Sequence, residues 1–172
     1  MTAASSASSP PAPFTLPGTG SPPSAPSPLL LAERAARGEP IPWSDALSIG
    51  IPSIDAQHRV LLAYLNQLSS AIARGQDAAV LAEVIAGLEG YTRLHFRHEE
   101  RLFALHGWEE EAGHVHGHRH FEQQLAAFRE RLATGDAALA RDVLRFLIAW
   151  LAEHILEDDL AYSAHLRACG VR

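Results

Sequence analysis

The sequence lacks the features that mark several large classes of protein. Its only cysteine, Cys169, lies near the C-terminus, so neither an internal disulfide nor a thiolate metal site can be assembled. No run of Lys or Arg forms a basic stripe, and the formal net charge of -6 argues against nucleic acid as a partner. The apolar stretches are too short to span a membrane, and no basic segment precedes them as in a secretory signal. We therefore expect a cytoplasmic protein without a membrane span.

Proline is confined to the beginning of the chain. Ten of the eleven prolines lie between Pro10 and Pro42, among Ser, Ala and Thr. Such a segment cannot bury enough apolar surface to offset the entropy lost on ordering. We predict a disordered tail or linker over residues 1–40 and one globular domain over residues 41–172.

Beyond Pro52 proline is absent, which permits long helices. Apolar residues recur there at helical spacing, and no alternating strand pattern occurs. The fold class predicted is all-α, an up-down-up-down four-helix bundle. The first helix is capped by Ser53 or Asp55 and runs to about Arg74. The second spans about Asp77 to His106, where Gly107 ends it, and the third spans about Glu110 to Ala133. The fourth starts from a cap at Asp136 and runs to at least His154, with a continuation that can reach Leu166.

Polar side chains share the apolar face of these helices. In the third helix Phe121, Leu125 and Phe128 define the buried stripe, and counting back along it selects His114 and His118. The neighbouring pair His116 and His120 has the same mutual spacing but a different phase. The same reasoning turns His58, His95, Glu99 and His154 inward, so that each helix contributes at least one buried imidazole.

This many buried donors and acceptors would be costly without a ligand. A single buried histidine is usually an ordinary core residue, but five of them with a carboxylate four residues after His95 indicate metal. The set exceeds the needs of one zinc ion and contains no sulfur, and its imidazole content excludes an all-oxygen calcium or magnesium site. Two carboxylate-bridged metal ions, with iron suited to mixed ligands, fit best.

Several segments together resemble the hemerythrin family, in particular its bacterial branch, over residues 43 to about 166. They are Trp43, Gly50–His58, Tyr91–Glu100, His114 and His118 with Phe121, and Trp150–Ile155 with Asp159 and Tyr162. Two departures from the family are mild: Trp108 stands where Tyr is common, and Leu102-Phe103 replaces a frequent Leu-Met. Neither removes a ligand.

The resemblance implies a ligand set. One iron would be held by His114, His118 and His154 and the other by His58 and His95, with Glu99, Asp159 and a solvent-derived oxo or hydroxo group as bridges. The second iron would keep an open position for O2. The family's O2 pocket corresponds here to Leu61, Phe96, Trp150, Ile155 and Leu156, which also suit plain core packing.

One implied ligand conflicts with regular helix geometry. Asp158 is four residues after His154 and would stay in phase, whereas Asp159 at five residues is rotated by about 140°. The family spacing favours Asp159, which requires a distortion of the helix near residues 155–159. The alternative assigns the ligand to Asp158, which otherwise is a solvated surface charge.

The function implied is reversible O2 binding, for storage or for delivery to an oxygen-consuming enzyme, by a protein that is not itself an enzyme and is expected to be a monomer. A sensor of O2 or redox state is the alternative, with a proline-rich linker but no output domain. A di-iron peroxidase or a nitric oxide-handling enzyme ranks lower, because no inward general acid or base lies outside the ligand set.

Overall fold

A computed structural model describes residues 27–172, and every regular element in that part of the chain is helical. The helices are α1 (Pro28–Ala36), α2 (Pro52–Ala73), α3 (Asp77–His106), α4 (Glu111–Ala133), α5 (Leu139–Trp150) and α6 (Asp159–Ala168). A short 3₁₀ turn covers Asp45–Leu47, and a π-helical segment, Leu151–Asp158, joins α5 to α6 without a break.

Four helical rods enclose an interior that contains a larger and a smaller apolar cluster. Helix α2 packs on α3, α3 on α4 and α4 on α5, while α5 closes the ring by packing on α2. The fourth rod is the continuous run of α5, the π-helical segment and α6. The predicted all-helical bundle is confirmed; the alternating direction of its helices remains a prediction. In the described part of the chain, no helix has the length and apolar character required to cross a membrane.

The disordered tail predicted over residues 1–40 extends too far, because helix α1 lies within that range. Helix α1 starts at a cap where the Ser27 hydroxyl accepts the Leu30 N–H, and it buries Leu31 and Ala35 against α2 and α5. The Ser69 hydroxyl donates to the Ala35 carbonyl at 2.7 Å. The prediction of disorder to residue 40 is therefore wrong for residues 28–36, because contacts with the bundle stabilise a helix that composition alone disfavours. Residues 1–26 of the predicted tail lie outside the described residues.

Two predicted helix caps are also wrong. Helix α2 begins at Pro52, whose fixed φ suits the first helical position, with Ile51 as the cap residue. The Asp55 carboxylate instead accepts the Ile49 N–H at 2.9 Å and so ties down the preceding loop. Helix α5 begins at Leu139, and Asp136 accepts the N–H of Ala138 in the turn before it. The left-handed exit of α3 at Gly107, with φ of +64°, is confirmed.

Candidate metal centre

The seven polar residues predicted for the centre come together inside the bundle, and each is at most 6% exposed. Every rod contributes at least one of them. Helix α2 supplies His58, α3 supplies His95 and Glu99, α4 supplies His114 and His118, and the fourth rod supplies His154 and Asp159. The helical phase therefore predicted the buried histidines of α4 correctly, and His116 and His120 are exposed.

One half of the centre holds three histidines. Ligand atoms of Glu99, His114, His118 and His154 all lie within 4.8 Å of one another. The Oε2 atom of Glu99 is 3.0 Å from Nε2 of His118 and 3.3 Å from Nε2 of His114. We call these four residues the three-histidine half.

The other half holds two histidines. Ligand atoms of His58, His95, Glu99 and Asp159 form a second group within the same 4.8 Å limit. The Oδ2 atom of Asp159 is 2.9 Å from Nε2 of His58, and Oε1 of Glu99 is 3.6 Å from Nε2 of His95. We call these four residues the two-histidine half.

Both carboxylates face both halves. Glu99 belongs to each group, with Oε1 towards the two-histidine half and Oε2 towards the three-histidine half. Asp159 turns Oδ2 to His58 and Oδ1 to His154, the latter at 3.3 Å from Nε2. This arrangement can bridge two neighbouring cations through carboxylate oxygens.

A π-helix resolves the conflict over the two aspartates. In the segment Leu151–Asp158 the backbone is wider than an α-helix, and the Asp159 N–H donates to the carbonyl five residues back, that of His154. Asp159 is thereby fully buried beside the histidines. The side chain of Asp158 is 58% exposed, but its Oδ2 lies 3.4 Å from Nδ1 of His154. Asp158 is thus more than the solvated surface charge expected for it when Asp159 is the ligand.

Burial sets the protonation of the centre. Loss of hydration lowers the pKa of His58 to about 4, so this imidazole is neutral at neutral pH and offers a lone pair. Burial alone would raise the pKa of Glu99, but the imidazoles of His95 and His114 hold it well below its ordinary value. For Asp159, burial and then the charge of Glu99 raise the pKa well above its ordinary value. The pocket favours one carboxylate charge and resists a second.

Many polar atoms at the centre have no hydrogen-bond partner within the described residues. Those that point inward are Nε2 of His58, His95, His118 and His154, and both carboxylate oxygens of Asp159. An unsatisfied buried group of this kind costs about 1–3 kcal/mol. Lone pairs from imidazole and carboxylate, held in two groups, are the donor set that divalent first-row metals bind. The residues present therefore fit a pair of metal ions.

Aromatic rings pack on two histidines of the three-histidine half. The ring of Phe96 stacks on His118 with centroids 3.8 Å apart, and the ring of Trp150 stacks on His154 at 3.9 Å. The other residues predicted to line an O2 pocket lie in the same core: Leu61 and Ile155 are fully buried, and Leu156 is partly exposed. Their role in an O2 pocket remains a prediction.

Sequence reasoning assigned no role to three residues that contact the predicted ligands from outside the centre. Gln57 accepts the Nδ1–H of His95 at 2.9 Å, and Glu100 lies 3.2 Å from Nδ1 of His118. The Tyr162 hydroxyl donates to Oε1 of Glu99. Gln57 and Glu100 are each adjacent in sequence to a site residue and reach a histidine of the next helix. That adjacency was the available signal.

Comparison with known proteins agrees with this geometry. Residues 49–166 match the family described as "Hemerythrin HHE cation binding domain". A protein named Bacteriohemerythrin from Stenotrophomonas maltophilia (strain R551-3) is 38% identical over 126 residues, covering 73% of this chain and 81% of the relative. Another Bacteriohemerythrin, from Pseudomonas aeruginosa (strain LESB58), is 36% identical, covering 73% and 80%. A Hemerythrin-like protein from Naegleria gruberi is 28% identical, covering 74% and 94%. With most of its length matched and side chains that could hold metal ions gathered inside the bundle, the chain belongs to the hemerythrin family.

Proposed function

We propose that the protein binds O2 reversibly at a non-haem di-iron centre, for oxygen storage or for delivery to oxygen-using enzymes in the cytoplasm. The observation that carries this proposal is the unequal division of imidazoles, three against two, around two shared carboxylates. In this assignment His114, His118 and His154 would hold one iron, and His58 and His95 would hold the other. Glu99 and Asp159 would be shared by the two. When bound, the iron pair would supply exchangeable electrons and one coordination position that no side chain takes.

The chain's own residues favour binding over turnover. Phe96 and Trp150 cover two of the histidines and keep water from that side of the centre. The hydroxyl groups of Tyr91 and Tyr162 are buried nearby, and burial raises the pKa of both well above the ordinary value. They therefore hold their protons at neutral pH and are poor general acids. This supports a carrier more than a peroxidase or a nitric oxide-handling enzyme.

The test is an oxygenation cycle of the iron-loaded protein. We expect two iron ions per chain, and a visible charge-transfer band that appears when O2 is added to the anaerobically reduced protein and disappears when O2 is removed. His118→Ala, which removes one ligand, should lose both iron and the band. Rapid irreversible oxidation would contradict the carrier and favour a redox sensor, and sustained consumption of hydrogen peroxide would favour an enzyme.

A further inference from the structure

The outward nitrogens of the site histidines have unequal partners. In every case Nε2 faces Glu99 or Asp159, which leaves Nδ1 on the side away from the carboxylates. Nδ1 of His118 lies 3.2 Å from Oε1 of Glu100, and Nδ1 of His154 lies 3.4 Å from Oδ2 of Asp158. Both of these partners are carboxylates, and both serve the three-histidine half.

Among residues 27–172, no carboxylate contacts Nδ1 of a histidine in the two-histidine half. Its His95 donates Nδ1–H to Gln57, a neutral amide, at 2.9 Å. Nδ1 of His58 is buried without a hydrogen-bond partner among residues 27–172. A carboxylate thus contacts Nδ1 of two of the three histidines in one half and of neither histidine in the other half. Nδ1 of His114 also lacks a hydrogen-bond partner among residues 27–172, and the charge of Asp55 acts on His58 without contacting its Nδ1.

A carboxylate on Nδ1 changes what an imidazole can do at Nε2. It fixes the tautomer with the proton on Nδ1, holds the ring in orientation and makes Nε2 a stronger donor to a metal ion. Arg119 contacts Glu100 at 3.2 Å and offsets part of its charge, but its guanidinium is on the solvent side and half exposed. The carboxylate remains the group in contact with the ring of His118.

We propose that Glu100 and Asp158 are positioning residues that make the three-histidine half the tighter of two metal sites. The proposal rests on the di-metal centre proposed above. Loss of such an outer partner typically weakens metal binding about 10–100-fold. Iron should therefore leave the two-histidine half first and the three-histidine half last.

The chain offers a matched control for each residue. Glu122 contacts the same Arg119 at 3.0 Å but forms no hydrogen bond or ion pair with a site histidine, so Glu122→Gln removes an equal charge and leaves the polar contacts of the imidazoles in place. Glu157 is exposed and precedes Asp158, so Glu157→Gln serves the same purpose in the π-helical segment.

The experiment follows release of ferrous iron from the loaded full-length protein to a ferrous-specific chelator, without oxygen. Wild type should release iron in a fast and a slow phase. Glu100→Gln and Asp158→Asn should each accelerate the slow phase by about tenfold or more and leave the fast phase unchanged. Glu122→Gln and Glu157→Gln should behave as wild type. Gln57→Glu should slow the fast phase, a gain that mere structural damage would not produce.

Each outcome separates the two proposals. Slow phases of Glu100→Gln and Asp158→Asn that match their controls would overturn the role of these carboxylates. A single iron per wild-type chain would refute the di-metal centre, yet faster release of that iron from Glu100→Gln would still support the positioning role. If a variant loads poorly, Glu100→Ala beside Glu100→Gln distinguishes loss of orientation from loss of charge, because glutamine keeps the acceptor oxygen.

Discussion

The burial of His58 makes the stability of the metal-free protein depend on acid in a calculable way. A histidine in the unfolded chain has a pKa near 6.5, and burial in the bundle lowers the pKa of His58 to about 4. Between pH 6.5 and pH 4, His58 therefore binds a proton in the unfolded state but not in the folded state. The contribution of neutral His58 to the free energy of unfolding is therefore fully present above pH 6.5 and is lost as the pH falls to 4. The difference between the two pKa values corresponds to a loss of about 3 kcal/mol in the free energy of unfolding, a large share of the stability of an ordinary domain.

The assay is urea unfolding of the chelator-treated protein, followed by circular dichroism, at pH 7 and at pH 4. Other buried groups also titrate, and the raised pKa of Asp159 acts in the opposite direction. The informative quantity is therefore the difference between wild type and His58→Leu, which removes one titrating group. We expect wild type to lose about 3 kcal/mol more than the variant between the two pH values. Equal losses in the two proteins would refute the assignment of this acid sensitivity to His58.

Three further experiments test the centre and the fold. Asp159→Ala should abolish the di-iron absorption spectrum while Asp158→Ala keeps it, because only Asp159 is buried between the histidines; loss of the spectrum in both would contradict this. His118→Ala should lower the iron content measured by atomic emission and the midpoint of thermal unfolding, and unchanged iron would remove His118 from the centre. Leu31→Ala, in α1, should cost about 2–5 kcal/mol in chemical unfolding, whereas Leu29→Ala, at a side chain 69% exposed, should change stability by no more than about 0.5 kcal/mol. Equal effects of the two would show that α1 does not dock as described.

The sequence was most informative where the apolar residues of a regular helix define the phase of its buried face. In α4 the spacing of Phe121, Leu125 and Phe128 sets the phase of the buried face, and the same 3.6-residue period extends back to His114 and His118. Because the helix is unbroken between these positions, no knowledge of the neighbouring helices was needed.

Contacts between helices could not be predicted in the same way. Gln57 contacts His95 and Glu100 contacts His118 only because α2, α3 and α4 have a particular axial offset from one another. No periodicity within a single helix encodes that offset.

The error in predicting disorder over α1 has the same cause. Its nine residues are too few for an isolated helix to be stable, and contacts with α2 and α5 decide whether it forms.

The π-helical segment shows how a local irregularity serves the whole centre. From His154, the position four residues on carries Asp158, and the position five residues on carries Asp159. In a uniform α-helix only the first of these would remain in phase with the histidine. The wider turn brings Asp159 to the Nε2 side while Asp158 stays within 3.4 Å of Nδ1, so both nitrogens of one imidazole face a carboxylate supplied by the same turn. Two consecutive acidic residues can therefore have different roles. Asp159 lies between the two halves of the centre, and Asp158 lies on the opposite side of the His154 ring.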